Sequence, residues 1–248
     1  MDRKWIAVAV AAALVVAGTA VFLLRSPPPP ETPPPAMPPV PAIQPRVADA
    51  PLPLPAESDA QLRKSLGAAS ARPDWKLWLS QGDLLDRATV VADNLAEGVS
   101  PRKQLDFLAP REPFRPKELT GGALQLDEKS YRRYDSFGDL IASLDVPAMS
   151  SAMRGAHALL TAAYHKLGYP DRAFDDALTR ALQRVCDAPV LETPPALKSR
   201  GALWAFSDDQ LEALTPVGKH LVRMGPRNTR LIQQKARELA AALSLPVH

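Results

Sequence analysis

Three regimes of hydrophobic patterning follow one another along the chain. Residues 5–24 are apolar without interruption, twenty positions lacking any charge. Residues 27–55 have no apolar period and are broken by proline. From Ser58 onward, apolar residues return at helical spacing. An uninterrupted run of twenty residues at ~1.5 Å per residue makes a helix about 30 Å long, the thickness of a bilayer's hydrocarbon core. A membrane-spanning helix is therefore predicted at 5–24, with Arg3 and Lys4 before it and Arg25 after it. A cleaved signal peptide is the competing reading, because Gly18-Thr19-Ala20 is small enough for a peptidase. Val21-Phe22-Leu23-Leu24 carries the run past that point, and signal cores are only ~7–15 residues long. The basic tip places the amino terminus in the cytoplasm and the rest of the chain across the membrane.

In the second regime, residues 27–55 hold 14 prolines. Each fixes φ and lacks a backbone N–H, so polyproline II is expected, extended and solvated. At ~3.1 Å per residue this arm reaches at most about 90 Å.

The third regime predicts mostly helices. A short one is expected at 59–70 behind Ser58, and a turn carrying Trp75, Leu77, Trp78 and Leu79 follows Asp74. The clearest amphipathic helix of the first half is 83–97, with Leu84, Ala88, Val91 and Leu95 at a period near 3.6 and Gly98 ending it. Asp83 and Arg87 are spaced for an i,i+4 ion pair on it. Residues 100–116 read as extended, and Thr120-Gly121-Gly122 reads as the turn of a short hairpin between 114–119 and 123–127. Further helices are expected at 127–144, 147–167 and 171–187, with a short strand at 202–206. Ser207 is placed to cap a short helix to Leu214, and Thr215-Pro216 opens another to Met224. Gly225-Pro226 then separates that one from a last helix burying Ile232, Ala236, Leu239 and Leu243. The fold class that emerges is mainly α: one N-terminal transmembrane helix (1–25), a proline-rich linker (26–56) and one multi-helix globular domain (57–248) with at most a minor β-hairpin.

Charge changes this picture little. The whole chain carries a formal +3, and four of its 30 Lys and Arg precede Glu57, as do three of its 27 Asp and Glu. The domain is thus left near +2, and nucleic acid is not the partner expected of it. Cys186 is the single cysteine, which excludes an intramolecular disulfide.

Catalytic and metal chemistry finds no convergent set. His157 and His165 stand two helical turns apart, while His220 and His248 are isolated, so no zinc spacing exists. His157 falls on the stripe Met153, Ala156, Leu160, Tyr164 and is expected in the core, as is the Cys186 thiol. No nucleophile elbow, phosphate-binding loop or zincin motif occurs, and no cofactor is implied. Two charged faces remain. The row Asp86, Asp93 and Glu97 offers carboxylates. Between Ala213 and Arg237 there are six Lys or Arg and no acid. Arg223, Arg227, Asn228 and Arg230 are the candidate binding residues there. Arg227 and Arg230 sit near a helix N-terminus, where the dipole disfavours cations. A compensating negative charge is therefore expected, from Asp86, Asp93 or Glu97 or from a bound anion.

The strings Val91-Ala92-Asp93-Asn94-Leu95-Ala96-Glu97-Gly98, Ser100-Pro101, Tyr131-Arg132-Arg133-Tyr134-Asp135, Leu167-Gly168-Tyr169-Pro170-Asp171 and Arg223-Met224-Gly225-Pro226-Arg227-Asn228 follow one another in this order. Coming after an anchor and a proline arm, they resemble a bacterial family catalogued as domain of unknown function 3014, over about 57–243. The resemblance implies a single-anchor protein with one mainly helical domain, and no catalytic residue. The function expected is that of a single-pass inner-membrane protein presenting a non-enzymatic periplasmic module to an envelope protein or polymer. The alternative is a periplasmic hydrolase with its site between the acidic helix 83–97 and the basic C-terminal helix.

Overall fold

A computed structural model of the protein describes residues 55–201 and 203–248. The expected anchor at 5–24 and nearly all of the proline arm lie outside the described residues. Among the described residues, no helix is long and apolar enough to cross a membrane.

The domain is mainly helical with one small sheet. Helix α1 (Pro55–Leu66) runs into a 3-10 turn (Gly67–Ala69), and α2 (Pro73–Leu79) follows. Helix α3 (Leu84–Ala96) buries Leu84, Leu85, Thr89, Ala92 and Ala96, close to the face its period predicts. It ends at Gly98, whose φ of +73° suits glycine. Its start differs from expectation. Asp83 is left-handed (φ 54°) and makes no cap, and Arg87 donates to the Gln104 carbonyl (2.9 Å) rather than pairing with Asp83. The cap comes from α1, where Asp59 accepts from the Leu84 and Leu85 N–H groups at 2.8 and 3.1 Å. Two otherwise orphaned donors are thereby satisfied from 25 residues away.

The hairpin and the short strand expected near 202–206 are both present, and a further strand at 196–200 joins them into a sheet rather than a minor hairpin. β1 (Pro116–Glu118), β2 (Leu124–Leu126), β3 (Ala196–Arg200) and β4 (Leu203–Phe206) form a four-stranded antiparallel sheet in that order. The hairpin around Gly121 and Gly122 is one half. β2 then pairs with β3, setting Leu124 opposite Leu197. β3 shows no apolar alternation because only Leu197 is buried on it. Leu126, Leu197 and Phe206 pack beneath the sheet against Val222.

Two expected helices are interrupted. Residues 127–144 divide into α4 (Glu128–Tyr131), a 3-10 turn (Arg132–Tyr134) and α5 (Asp135–Ala142). Residues 147–167 divide into α6 (Val146–Gly155) and α7 (His157–Lys166), where buried Ala156 leaves helical geometry (φ −99°, ψ 6°). Helix α8 (Phe174–Cys186) buries Phe174, Ala177, Ala181, Val185 and Cys186, the last as expected of its thiol. His157 does not join that core. It is exposed on the rim and bonds Asp175 through Nε2 (3.0 Å). Asp208, not Ser207, caps the short α9 (Asp209–Glu212).

The last helix, α10 (Pro216–Leu243), opens as expected, with Thr215 Oγ1 accepting from the Gly218 N–H (3.2 Å). As expected, Gly225-Pro226 separates two helical segments of it, which join at a kink. Gly225 takes φ 82° and ψ 166°, and Thr229 Oγ1 donates to the Leu221 and Gly225 carbonyls across the bend (2.7 and 2.9 Å). Helix α10 packs on α4, α5, α6 and α8, and α3 packs on α7 and α8.

Candidate functional site

The four candidate residues on α10 all have internal partners. Arg223 donates to the Trp204 carbonyl (3.1 Å) and lies over the Phe206 ring. Glu212 accepts from the Phe206 N–H (3.0 Å), so two outward polar groups of the edge strand β4 are already bonded. Burial alone raises the Glu212 pKa. The Phe206 N–H and the Lys219 ammonium outweigh it and hold the group below the ordinary carboxylate value. Asn228, 1% exposed, donates to the Tyr131 carbonyl (3.2 Å), Asp135 Oδ1 (3.0 Å) and the Met224 carbonyl (3.0 Å). Arg227 pairs with Asp139 (2.5 Å) and Asp135 (3.6 Å), and Arg230 with Glu192.

A counter-charge at the N-terminal end of the post-kink helix is therefore present, as the dipole argument requires. It does not come from the row on α3. Asp86 is exposed, and Glu97 reaches Arg180 at 3.9 Å. Asp93 keeps a buried Oδ1 without a hydrogen-bond partner, and its pKa is raised by burial and then by Glu97, against Arg180 and Arg172. Asp93 and Glu97 thus face α8, whereas Arg227 of α10 faces α5, Arg230 the segment before β3 and Arg223 the edge strand β4. The two charged faces do not meet in one cleft.

Another set converges instead, on a segment free of helical period. From Pro101 the chain makes a turn held to α3, where Asn94 Nδ2 donates to Gln104 Oε1 (3.1 Å). Further along, Arg133 Nη1 donates to the Glu112 carbonyl (2.7 Å) and its Nε to the Ser130 carbonyl (3.2 Å). Ser130 Oγ donates to the Arg115 carbonyl (3.0 Å). Two stitches thus fasten residues 110–115 against α4 and the 3-10 turn after it. Between these walls lies a groove of about 550 Å³, lined by Pro110, Arg111, Glu112, Lys129, Arg132 and Arg133. Arg111, Lys129 and Arg132 are exposed, and none is in an ion pair among the described residues. Four cations thus share the groove with a single acid.

Behind Arg133 sits His220. Its ring meets Tyr134 edge-on at 5.5 Å, and its Nδ1 lies 2.8 Å from Ser100 Oγ. Burial, then Arg102, Arg223 and Arg133, lower its pKa to about 4, so the imidazole is neutral at neutral pH. A serine bonded to a neutral imidazole is part of a nucleophile–base arrangement. Among the described residues, however, no carboxylate bonds the ring to orient it, as such sites require. The described residues also contain no group of three or more His, Cys, Asp or Glu able to hold a metal.

Neither the groove nor the serine–histidine contact was legible as a site, since their residues come from a proline-punctuated loop, a single 3-10 turn and a helix over 80 residues away. The cluster of basic residues at 129–133 was the one visible signal.

A family model described as "Protein of unknown function (DUF3014)" matches residues 84–240. The match spans α3 to α10 and includes the groove, leaving α1 and α2 outside. Neither the curated proteins nor the solved structures provide a match.

Proposed function

We propose that this chain, which belongs to the DUF3014 family of proteins of unknown function, is a bacterial inner-membrane protein that presents a docking domain to the periplasm. In this reading residues 5–24 anchor it, with the amino terminus in the cytoplasm, and residues 26–56 hold the domain away from the bilayer. The domain, 57–248, binds a partner in the envelope and carries out no chemistry of its own. The observation that supports this most is the cationic groove. Three exposed basic side chains without an ion-pair partner among the described residues converge on it beside Arg133, with Glu112 the one acid of the lining, and both walls are fixed by hydrogen bonds. Pre-formed walls reduce the ordering cost of binding, and unpaired cations steer an anionic partner toward them.

The test is a photo-crosslinking residue at position 132 of the full-length chain in cells, with position 237 on α10 as control. The reading predicts discrete membrane-associated adducts from 132 and few from 237. Equal adducts at both positions, or none from 132, would count against it. A reporter active only outside the cytoplasm, fused after His248, is expected to be active and to sediment with membranes.

A further inference from the structure

The lining of the groove narrows the class of partner, and this step rests on the docking reading above. We infer that the groove receives a carboxylate-rich peptide segment of another protein. The cations are spread over its walls: Arg111 on the loop side, Lys129 and Arg132 on the other, with Arg133 between them. Such a distribution matches a row of separate charges better than one compact anion. Guanidinium forks also fit carboxylates two bonds at a time, a geometry lysine alone does not supply. The volume, about 550 Å³, is within the ordinary range for ligand sites.

Arg133 sets the shape. Its guanidinium lies near both the Phe114 and Tyr134 rings, 5.6 and 5.3 Å from their centroids, while its N–H groups hold the Glu112 and Ser130 carbonyls. It is therefore committed to the fold, and Arg111, Lys129 and Arg132 remain for the ligand. Glu112 is the one acid of the lining, and it disfavours any register that brings a carboxylate onto it.

The same lining argues against two other polyanions. Single-stranded nucleic acid is held by bases stacked on aromatic faces. No aromatic side chain lines the groove, and the two nearby rings already face Arg133. An anionic bilayer is bound by basic residues together with inserted apolar ones, whereas Pro110 is the sole apolar residue of the lining.

The experiment uses the purified full-length chain in detergent and a labelled oligoglutamate peptide. Oligothymidylate and phosphatidylglycerol vesicles, with the chain reconstituted, are the comparison ligands. Oligoglutamate is expected to bind, and to bind more weakly as salt rises. Arg111→Glu combined with Arg132→Glu is expected to weaken it about tenfold or more, since two exposed attractions become repulsions. Both side chains are exposed, so folding survives the change. Arg237→Glu is expected to leave binding unchanged. Failure of oligoglutamate to bind, equal binding by the doubly reversed chain, or preferential binding of oligothymidylate or vesicles through Arg111 and Arg132 overturns the inference. If oligoglutamate fails while crosslinks from position 132 persist in cells, the acidic-peptide assignment falls and docking stands. If both fail, docking falls as well.

Discussion

Gly225 lies directly against the ring of Tyr131, so close that a Cβ on the glycine would overlap the ring carbons. The contact joins the kink of α10 to the end of α4. It also brings together two of the strings on which the family resemblance rests. At φ 82° and ψ 166°, Gly225 occupies backbone space that is essentially restricted to glycine. Gly225→Ala therefore meets both backbone strain and overlap, a combined cost of about 3 kcal/mol or more. In a domain of this size that lowers the melting temperature by roughly 10 °C. Adding Tyr131→Ala removes the overlap but not the strain, so calorimetry of the double variant should show less than the sum of the two losses.

Asn228 is the polar counterpart of that contact. Its side chain is buried among the Tyr131 and Met224 carbonyls and Asp135, and Gly138 leaves the space its amide fills. Asn228→Leu takes the donor from both carbonyls and leaves Asp135 only its longer contact with Arg227 (3.6 Å), in a space shaped for an amide, and about 2–3 kcal/mol of stability should be lost. A denaturant midpoint unchanged from wild type would show that water replaces the amide.

Arg227 should behave differently, although it is next in sequence. Its side chain is 56% exposed and its partner Asp139 40%. Exposed pairs contribute about 0.2–1 kcal/mol, so Arg227→Ala should shift the melting temperature by only a few degrees. The effect should shrink further in high salt. A loss as large as that of Asn228→Leu would mean that the pair acts as a buried clamp.

The helical stripes, Gly98 after α3 and the Thr215 cap were legible because each depends on neighbours within a few residues. The need for a counter-charge at Arg227 was legible too, since the helix dipole demands it locally. Its source was not, because Asp135 and Asp139 lie on α5, 88 or more residues away, and nothing in the sequence ranks them above Asp86, Asp93 or Glu97. β3 escaped notice because one buried leucine makes no alternation. The groove escaped because its walls are shaped by side-chain bonds to carbonyls at Glu112, Arg115 and Ser130, which have no sequence signature.

His220 gives the domain a defined acid sensitivity. Its pKa falls to about 4 in the fold, against an ordinary value near 6.5 in the unfolded chain. Between those limits the unfolded chain binds the extra proton, so stability rises with pH and is lost as pH falls from about 6.5 toward 4. The full loss is about 3 kcal/mol. In His220→Asn this part of the pH dependence should vanish, measured as denaturant midpoints across the window. An unchanged slope would place the titrating group elsewhere.

The most direct test of a periplasmic docking groove uses the single native thiol. Cys186 is buried, so Arg132→Cys and Arg237→Cys each introduce one accessible thiol on a quiet background. A membrane-impermeant maleimide is added to cells with permeabilised outer membranes, and labelling rates are compared with those of the purified full-length chains. Both positions are expected to label without breaching the inner membrane. Position 132 is expected to label several-fold more slowly in cells than when purified, and position 237 equally in both. Labelling that begins only after the inner membrane is broken would contradict export, and equal rates at position 132 in cells and in isolation would contradict an occupied groove.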